Sequence, residues 1–413
     1  MTADELLPVA TALDLALDGI GPLSPAELSL EAAYGCAAAE DVVADRFLPS
    51  FSSSGMDGFA VRANDVALAS PESPVELRIT GRVAMGKAPD LAVGSGEAVR
   101  IATGAPVPAG SDGVVPIELC EVFADARVLV RQGVPPGRYL RPAGQDVRPG
   151  EVLVREGRRL LGPELGLLAL AGRDRVRVRP RPRVAILSTG DELVPPGAMA
   201  GFGQVHDANG PTLFGAAKEA GAEPRLAGIV PDDADAFRDA LGRAATDTDV
   251  LLSSGGVSAG ELDVVKRTFE GRGEVAFHRV AMQPGMPQAF GRIDGIPFFG
   301  LPGNPVSVFV SFEVFVRPAI LRMLGRRRIV RPAIRARVAG ELRGQPEKTV
   351  FARVRAARNE SGWTATSTGG PQSNLLATLS QANGLAVIPP GVERLGHGEV
   401  CRVMLFRDPE ETT

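Results

Sequence analysis

Between residues 183 and 324, short apolar runs alternate with amphipathic stretches, and that order leaves few architectures open. Segments 184–187, 224–229, 250–253 and 274–280 read as strands, and 210–221, 233–245, 263–271 and 305–324 as helices. Such alternation indicates βαβ units and a largely parallel sheet covered by helices. Segments 288–292 and 296–299 are expected to pair as a hairpin turned at Asp294-Gly295, because Asp-Gly readily takes the positive φ of a tight hairpin turn.

The flanks follow other periods. Residues 1–45 read as two helical stretches, the second opening at Ser24-Pro25-Ala26-Glu27, where Ser, Pro and Glu would take the N-cap, first and third helical positions. From 48 to 141, β-like runs at 75–80, 98–101, 113–117 and 127–131 are separated by Gly and Pro, as in a small barrel or sandwich. Residues 142–180 hold a strand at 151–154, a helix at 163–171 and the alternating Arg173–Arg179 segment, with its valines expected inward. After 326 the chain returns to β-like runs at 333–338, 349–354, 363–366, 384–388 and 399–403. At 413 residues the chain is expected to build several cores rather than one.

Composition narrows the function. The apolar fraction is 44%, with no run of about 18 apolar residues, so a soluble globular protein without a membrane span is expected. Asp4 and Glu5 stand where a secretory signal would need basic residues, and the spacing that follows is that of a helix face. Cys36, Cys120 and Cys401 are three widely separated thiols, which suits a reducing, cytoplasmic setting and excludes a disulfide scaffold. The 45 basic and 49 acidic side chains leave a net charge of −4 without long blocks, so no nucleic-acid partner is expected.

Ligands of open α/β sheets sit beyond the C-terminal ends of strands, where three loops are unusual. Ser188-Thr189-Gly190-Asp191-Glu192 joins hydroxyls and backbone N–H groups suited to an anion with a carboxylate suited to a hydrated cation; a helix-capping turn explains the same residues. Ser253-Ser254-Gly255-Gly256-Val257-Ser258, followed by Glu261 and Asp263, lets backbone approach a phosphate but lacks the spacing of a nucleotide P-loop or dinucleotide motif. In Gly300-Leu301-Pro302-Gly303-Asn304-Pro305-Val306-Ser307, Asn304 and Pro305 are an expected N-cap and first helical residue. Outside this stretch, Asp57 and Thr103 each sit beside a Gly-fixed turn; a turn carboxylate and a loop cap are the plain alternatives.

Taken together, S-x-M-D-G-F-A-V at 54–61, R-I-A-T-G-A-P-V-P-A-G at 100–110, S-T-G-D-E-L at 188–193, G-Q-V-H-D-A-N at 203–209, S-S-G-G-V-S-x-G-E-x-D at 253–263 and G-L-P-G-N-P-V-S at 300–307 closely resemble the MoeA family of molybdopterin molybdenumtransferases, which includes the gephyrin C-terminal domain. The resemblance implies a multidomain α/β plus all-β chain. Its parts would be a helical dimerisation domain (1–45 and 142–180), an inserted all-β domain (46–141), a three-layer molybdopterin-binding α/β domain (181–326) and a C-terminal β-barrel (327–413). It implies insertion of molybdenum from molybdate into adenylylated molybdopterin with release of AMP, assisted by Mg²⁺. Asp57, Glu192, Asp232 and Asp263 are then the catalytic candidates, with Glu192 and Asp263 holding metal. Thr103, Ser188, Thr189, Ser253, Ser254, Gly255, Gly256, Ser258, Arg279, Gln283, Pro302, Asn304 and Ser307 are candidates for substrate binding.

The same resemblance implies a homodimer with composite sites, and contacts with molybdopterin adenylyltransferase and molybdoenzyme apoproteins. One departure is Gln283-Pro284-Gly285-Met286-Pro287, where the family often has K-P-G-K-P. Arg279, four residues before Gln283, would share a face with it and supply the missing charge if the strand continued that far. Competing readings are an adenylyltransferase, whose loop would favour G-G-T-G, a nicotinamide-nucleotide amidohydrolase, which would need another C-terminal enzyme, and a cofactor carrier or scaffold without turnover.

Overall fold

The computed structural model describes residues 6–257, 264–269, 275–360 and 362–409. The chain divides into two compact units, one of residues 1–39, 157–160 and 177–413, the other of residues 40–156 and 161–176.

In the first unit the expected alternation appears as β1 (Arg183–Thr189), α1 (Asn209–Ala220), β2 (Glu223–Val230), α2 (Ala234–Ala245), β3 (Val250–Ser254), α3 (Val264–Phe269), β4 (Val275–Arg279), β5 (Pro287–Ile293), β6 (Ile296–Leu301) and α4 (Pro305–Ser311). The sheet order is β2-β1-β3-β6-β5-β4. The first four strands are parallel, and β6-β5-β4 run antiparallel through the hairpin at Asp294-Gly295. Strands covered on both faces need apolar side chains on both, which is why β1 is a continuous apolar run rather than an alternating one. Val184 and Ile186 enter one core with Leu213 and Ala217 of α1. Ala185 and Leu187 enter the other with Phe237 and Leu241 of α2.

The expected long helix over 305–324 is interrupted. Helix α4 passes through a π-helical turn, Phe312–Val316, into the helix Arg317–Met323. Glu313 lies in that turn with its side chain only 1% exposed. Arg331 reaches it through two nitrogens, Nη2 donating to Oε1 at 2.9 Å and Nε to Oε2, and Arg317 Nε lies 3.7 Å away. The rest of this unit includes a closed five-stranded barrel of Thr349–Asn359, Gly362–Ser367, Ala333–Val338, Val400–Leu405 and Gly384–Ile388.

The helix expected to open at Ser24 is absent. Ala26–Ser29 is a strand, paired in a three-stranded sheet beside Arg175–Arg179, whose Val176 and Val178 are buried as expected. Sheet pairing overrides the local capping signal, and the cap is Ser29 instead, whose Oγ accepts from Ala32 N–H at 3.4 Å above the one-turn helix Leu30–Ala33. In the second unit, a six-stranded sheet built on Gly58–Val61 wraps a core of Phe59, Leu77, Val115 and Val128.

Candidate functional site

The parallel register brings the chosen loops to one edge. Ser188 pairs with Ser254, Ser254 with Leu301, and Thr189 with Val230, so the segments after β1, β2, β3 and β6 emerge side by side. Gly255 and Gly256 have φ of +90° and +69°, a backbone that L side chains rarely adopt. A Cβ on Gly255 would also lie 2.7 Å from the Thr189 carbonyl oxygen. Close approach of the β1 and β3 loops therefore requires glycine there.

The hydroxyls at this edge face the protein. Ser188 Oγ donates to Asp207 Oδ2 at 2.8 Å, Ser254 Oγ donates to Ser188 Oγ at 3.4 Å, and Thr189 Oγ1 donates to the Ser254 carbonyl at 3.4 Å. Asp207 Oδ1 accepts the Asn209 and Gly210 amides, both at 3.0 Å, at the start of α1. Asn209 Nδ2 donates to the Gly303 carbonyl at 2.7 Å, tying α1 to the loop after β6. Ser253 Oγ and Asn209 Oδ1 are buried with no protein partner. Asp207 and Asn209 are therefore central to the edge, yet sequence reasoning gave neither a role. Their signal lay in the 203–209 motif.

Acidic groups gather beside the hydroxyls. The Asp232 N–H donates to Asp191 Oδ1 at 3.0 Å, and Arg267 donates to the Asp232 carbonyl at 2.5 Å. Burial holds the Asp232 carboxyl above the usual range. The charges of Asp191 and Glu192 push the same way, against a hydrogen bond from the Asp191 backbone and the pull of Arg267. A Cβ on Gly190 would sit 2.5 Å from Glu192 Oε2, so that carboxylate folds back over the β1 loop. Among the described residues no three carboxylate, imidazole or thiol groups converge on a metal-sized position. Ser258 and Asp263 lie outside the described residues.

Three expectations change here. Asn304 does precede the first helical residue, Pro305, but its side chain makes no cap; Nδ2 donates to Ser373 Oγ at 2.9 Å, while the Ser373 carbonyl accepts the Val306 N–H at 3.0 Å. A loop of the barrel domain thus takes the cap's place. Strand β4 stops at Arg279, and Met282–Gln283 pairs instead with Thr349–Asn359 of the barrel sheet. The shared face argued for Arg279 and Gln283 does not exist, because the two residues belong to different sheets. Finally, Ser188 and Ser254 are spent on each other and on Asp207. Pro302 and Ser307 are buried at the same helix mouth, and Gln283 lines a cavity of about 370 Å³ with Val306, Phe351 and Arg353.

Asp57 and Thr103 come together in the second unit. Thr103 N–H donates to Asp57 Oδ1 at 2.7 Å, and both residues are exposed. Gly58 follows because a Cβ there would meet the Val115 carbonyl at 1.9 Å.

Family models match the chain throughout. Residues 7–172 match the MoeA N-terminal region (domain I and II), 185–322 a probable molybdopterin binding domain, and 335–406 the MoeA C-terminal region (domain IV). The chain belongs to the MoeA family. It is 40% identical over 385 residues to molybdopterin molybdenumtransferase 2 of Mycobacterium tuberculosis, covering 92% of this chain and 94% of that protein. The Bacillus subtilis molybdopterin molybdenumtransferase is 32% identical, covering 90% and 87%. The crystal structure of a molybdopterin biosynthesis MoeA protein from Pyrococcus horikoshii superposes with a TM-score of 0.83 at 34% identity, covering 98% of this chain and 100% of that one. Within this MoeA chain the edge of the molybdopterin-binding domain holds Ser188, Thr189, Ser253, Ser254, Glu192 and Asp232, while Asp57 and Thr103 form a second group in the other unit.

Proposed function

We propose that this MoeA-family chain is a molybdopterin molybdotransferase of molybdenum cofactor biosynthesis, which takes adenylylated molybdopterin and molybdate, inserts molybdenum and releases AMP. The observation that carries the reading is one sheet edge joining a glycine-forced anion cradle, Gly255-Gly256, to the mutually repelling carboxylates of Asp191, Glu192 and Asp232. Cleaving a phosphoanhydride develops charge on the transferring oxygens, which a nearby cation stabilises. The hard oxygen donors of Glu192 and Asp263 suit Mg²⁺, and burial, with the charges of Asp191 and Glu192 adding to it, raises the Asp232 carboxyl beside Glu192. When bound, Mg²⁺ would neutralise the phosphoryl oxygens. The Ser253–Ser258 loop holds the terminal phosphate of the pterin through its backbone, with Thr103, Ser188, Thr189, Pro302, Asn304 and Ser307 shaping the surroundings and Arg279 and Gln283 contributing separately.

On this reading the protein works in the cytoplasm as a homodimer with composite sites, receives substrate from an adenylyltransferase and passes product to molybdoenzyme apoproteins. No helix among the described residues is long and apolar enough to cross a membrane. The test is AMP release from adenylylated molybdopterin in the presence of molybdate and Mg²⁺. Glu192→Gln and Asp263→Asn should each slow it at least ~100-fold, the usual effect of losing one transition-state electrostatic contact. A carrier without turnover would bind the pterin and release no AMP. Wild-type rates in either variant would remove that residue from the mechanism.

A further inference from the structure

Two residues before β1, at the end of the sheet opposite Ser188 and Thr189, three guanidinium groups converge on Gly35. Arg181 and Arg326 donate to the neighbouring carbonyls of Tyr34 and Gly35, the latter at 3.2 Å. A Cβ on Gly35 would lie 3.1 Å from Arg181 Nη2 and 3.9 Å from Arg159 Nη2. Gly35 has φ of +81°, a backbone that L side chains rarely adopt, so the turn favours glycine. Among the described residues none of the three arginines forms an ion pair; the Tyr34 and Gly35 carbonyls accept from Arg181 and Arg326, and the Cys36 thiol lies against Arg181. Burial holds the Arg326 guanidinium down to about 10, and the charge of Arg159 adds to the effect. Arg159 also repels half-buried Arg317. An open cavity of about 720 Å³ borders the cluster, with Ala32, Cys36, Pro180 and Arg181 in its wall.

Arg181 and Arg326 are partly buried, with exposed Arg159 beside them; carbonyl dipoles do not neutralise charges held this close, and an unpaired, partly buried cation is costly. Guanidinium forks match the tetrahedral oxygens of a phosphate better than any point charge does. We propose that Arg159, Arg181 and Arg326 form a second anion site, specific for inorganic phosphate or the phosphate group of a small monoester. The site stands apart from the candidate transferase edge by the length of β1, roughly 20 Å at ~3.3 Å per residue. Its occupant fastens three segments together, residues 34–36, 159 and 181, with the end of the helix Arg317–Met323.

The experiment treats the full chain with phenylglyoxal and maps modified arginines by peptide mass spectrometry, with increasing inorganic phosphate or chloride at equal ionic strength. Phosphate should protect Arg159 and Arg181 while leaving exposed Arg335 reactive, and should raise the melting temperature. Arg159→Gln should raise the half-protecting phosphate concentration for Arg181 at least tenfold; Arg326→Met should do the same if it folds. The mapping is specific to this cluster, so phosphate bound at the transferase edge does not confuse it, and AMP release by Arg159→Gln should equal wild type. Equal protection by chloride and phosphate overturns the proposal. Protection that rises with protein concentration and needs no phosphate also overturns it, by assigning the anion to a carboxylate of a second copy.

Discussion

Asp207 carries more of the site than its neighbours in sequence suggest. One oxygen takes the Ser188 hydroxyl and the other takes two backbone amides, so a single buried carboxylate sets both the end of β1 and the start of α1. Asp207→Asn replaces one acceptor by a donor and leaves the Ser188 hydroxyl without its target. Hydrogen bonds to a charged group contribute ~1.5–3 kcal/mol each, so the variant should lose about 2 kcal/mol in urea or guanidinium unfolding, with pterin affinity falling alongside. An unchanged midpoint would show that the relay adds nothing. Which loops meet was legible in the sequence because strand ends collect at one edge and glycine marks close backbone approach. Which hydroxyls remain open to a ligand was not, since Ser188 and Ser254 find partners 19 and 66 residues away from Ser188. No local pattern encodes such pairs.

At the scale of elements, periodicity located every strand of the α/β sheet, and it failed where another sheet intervened. Ala26–Ser29 has the residues of a helix start and becomes a strand because Arg175–Arg179 is there to pair with it. Gln283 leaves the line of β4 because the barrel offers Val350 as a partner. The π turn was equally hidden, as was the pairing of its buried Glu313 with Arg331, 18 residues on. Removing one partner of a buried pair costs ~3–5 kcal/mol, whereas replacing both by apolar groups is often neutral. Glu313→Leu should therefore unfold far more readily than wild type, and adding Arg331→Met should recover much of the loss; additive losses in a double-mutant cycle would show the pair is uncoupled. Strand β4 gives a pH test. His278 stacks on Phe290 with ring centroids 5.7 Å apart, and burial lowers its pKa below the ordinary 6.5. The unfolded chain then binds the extra proton, so this contribution is fully present above pH 6.5 and is lost as pH falls through the depressed folded value. Denaturation of wild type and His278→Phe should diverge with that sign between about pH 7.5 and 5. Parallel curves would mean His278 titrates alike in both states.

For the whole molecule, the decisive fact is that the candidate residues fall into two compact units: Asp57 with Thr103 in one, and Glu192, Asp232 and the β3 loop in the other. A composite site, as proposed above for the homodimer, makes each active centre draw on both groups from different subunits. Complementation then follows from symmetry alone. A dimer of two Asp57→Asn subunits has two damaged sites, and so has a dimer of two Asp263→Asn subunits. A mixed dimer has one site carrying both lesions and one carrying neither. Equal mixing after full subunit exchange gives half mixed dimers, each with one of two sites intact, so AMP release should recover to about a quarter of the wild-type rate from a baseline reduced ~100-fold. Exchange is verified independently by native mass spectrometry of a size-tagged subunit. Recovery tracking the mixed species establishes that Asp57 of one subunit serves the Asp263 site of the other. Full exchange without recovery places both residues in one subunit's site or separates their functions, and the two groups would then have to be assigned different steps.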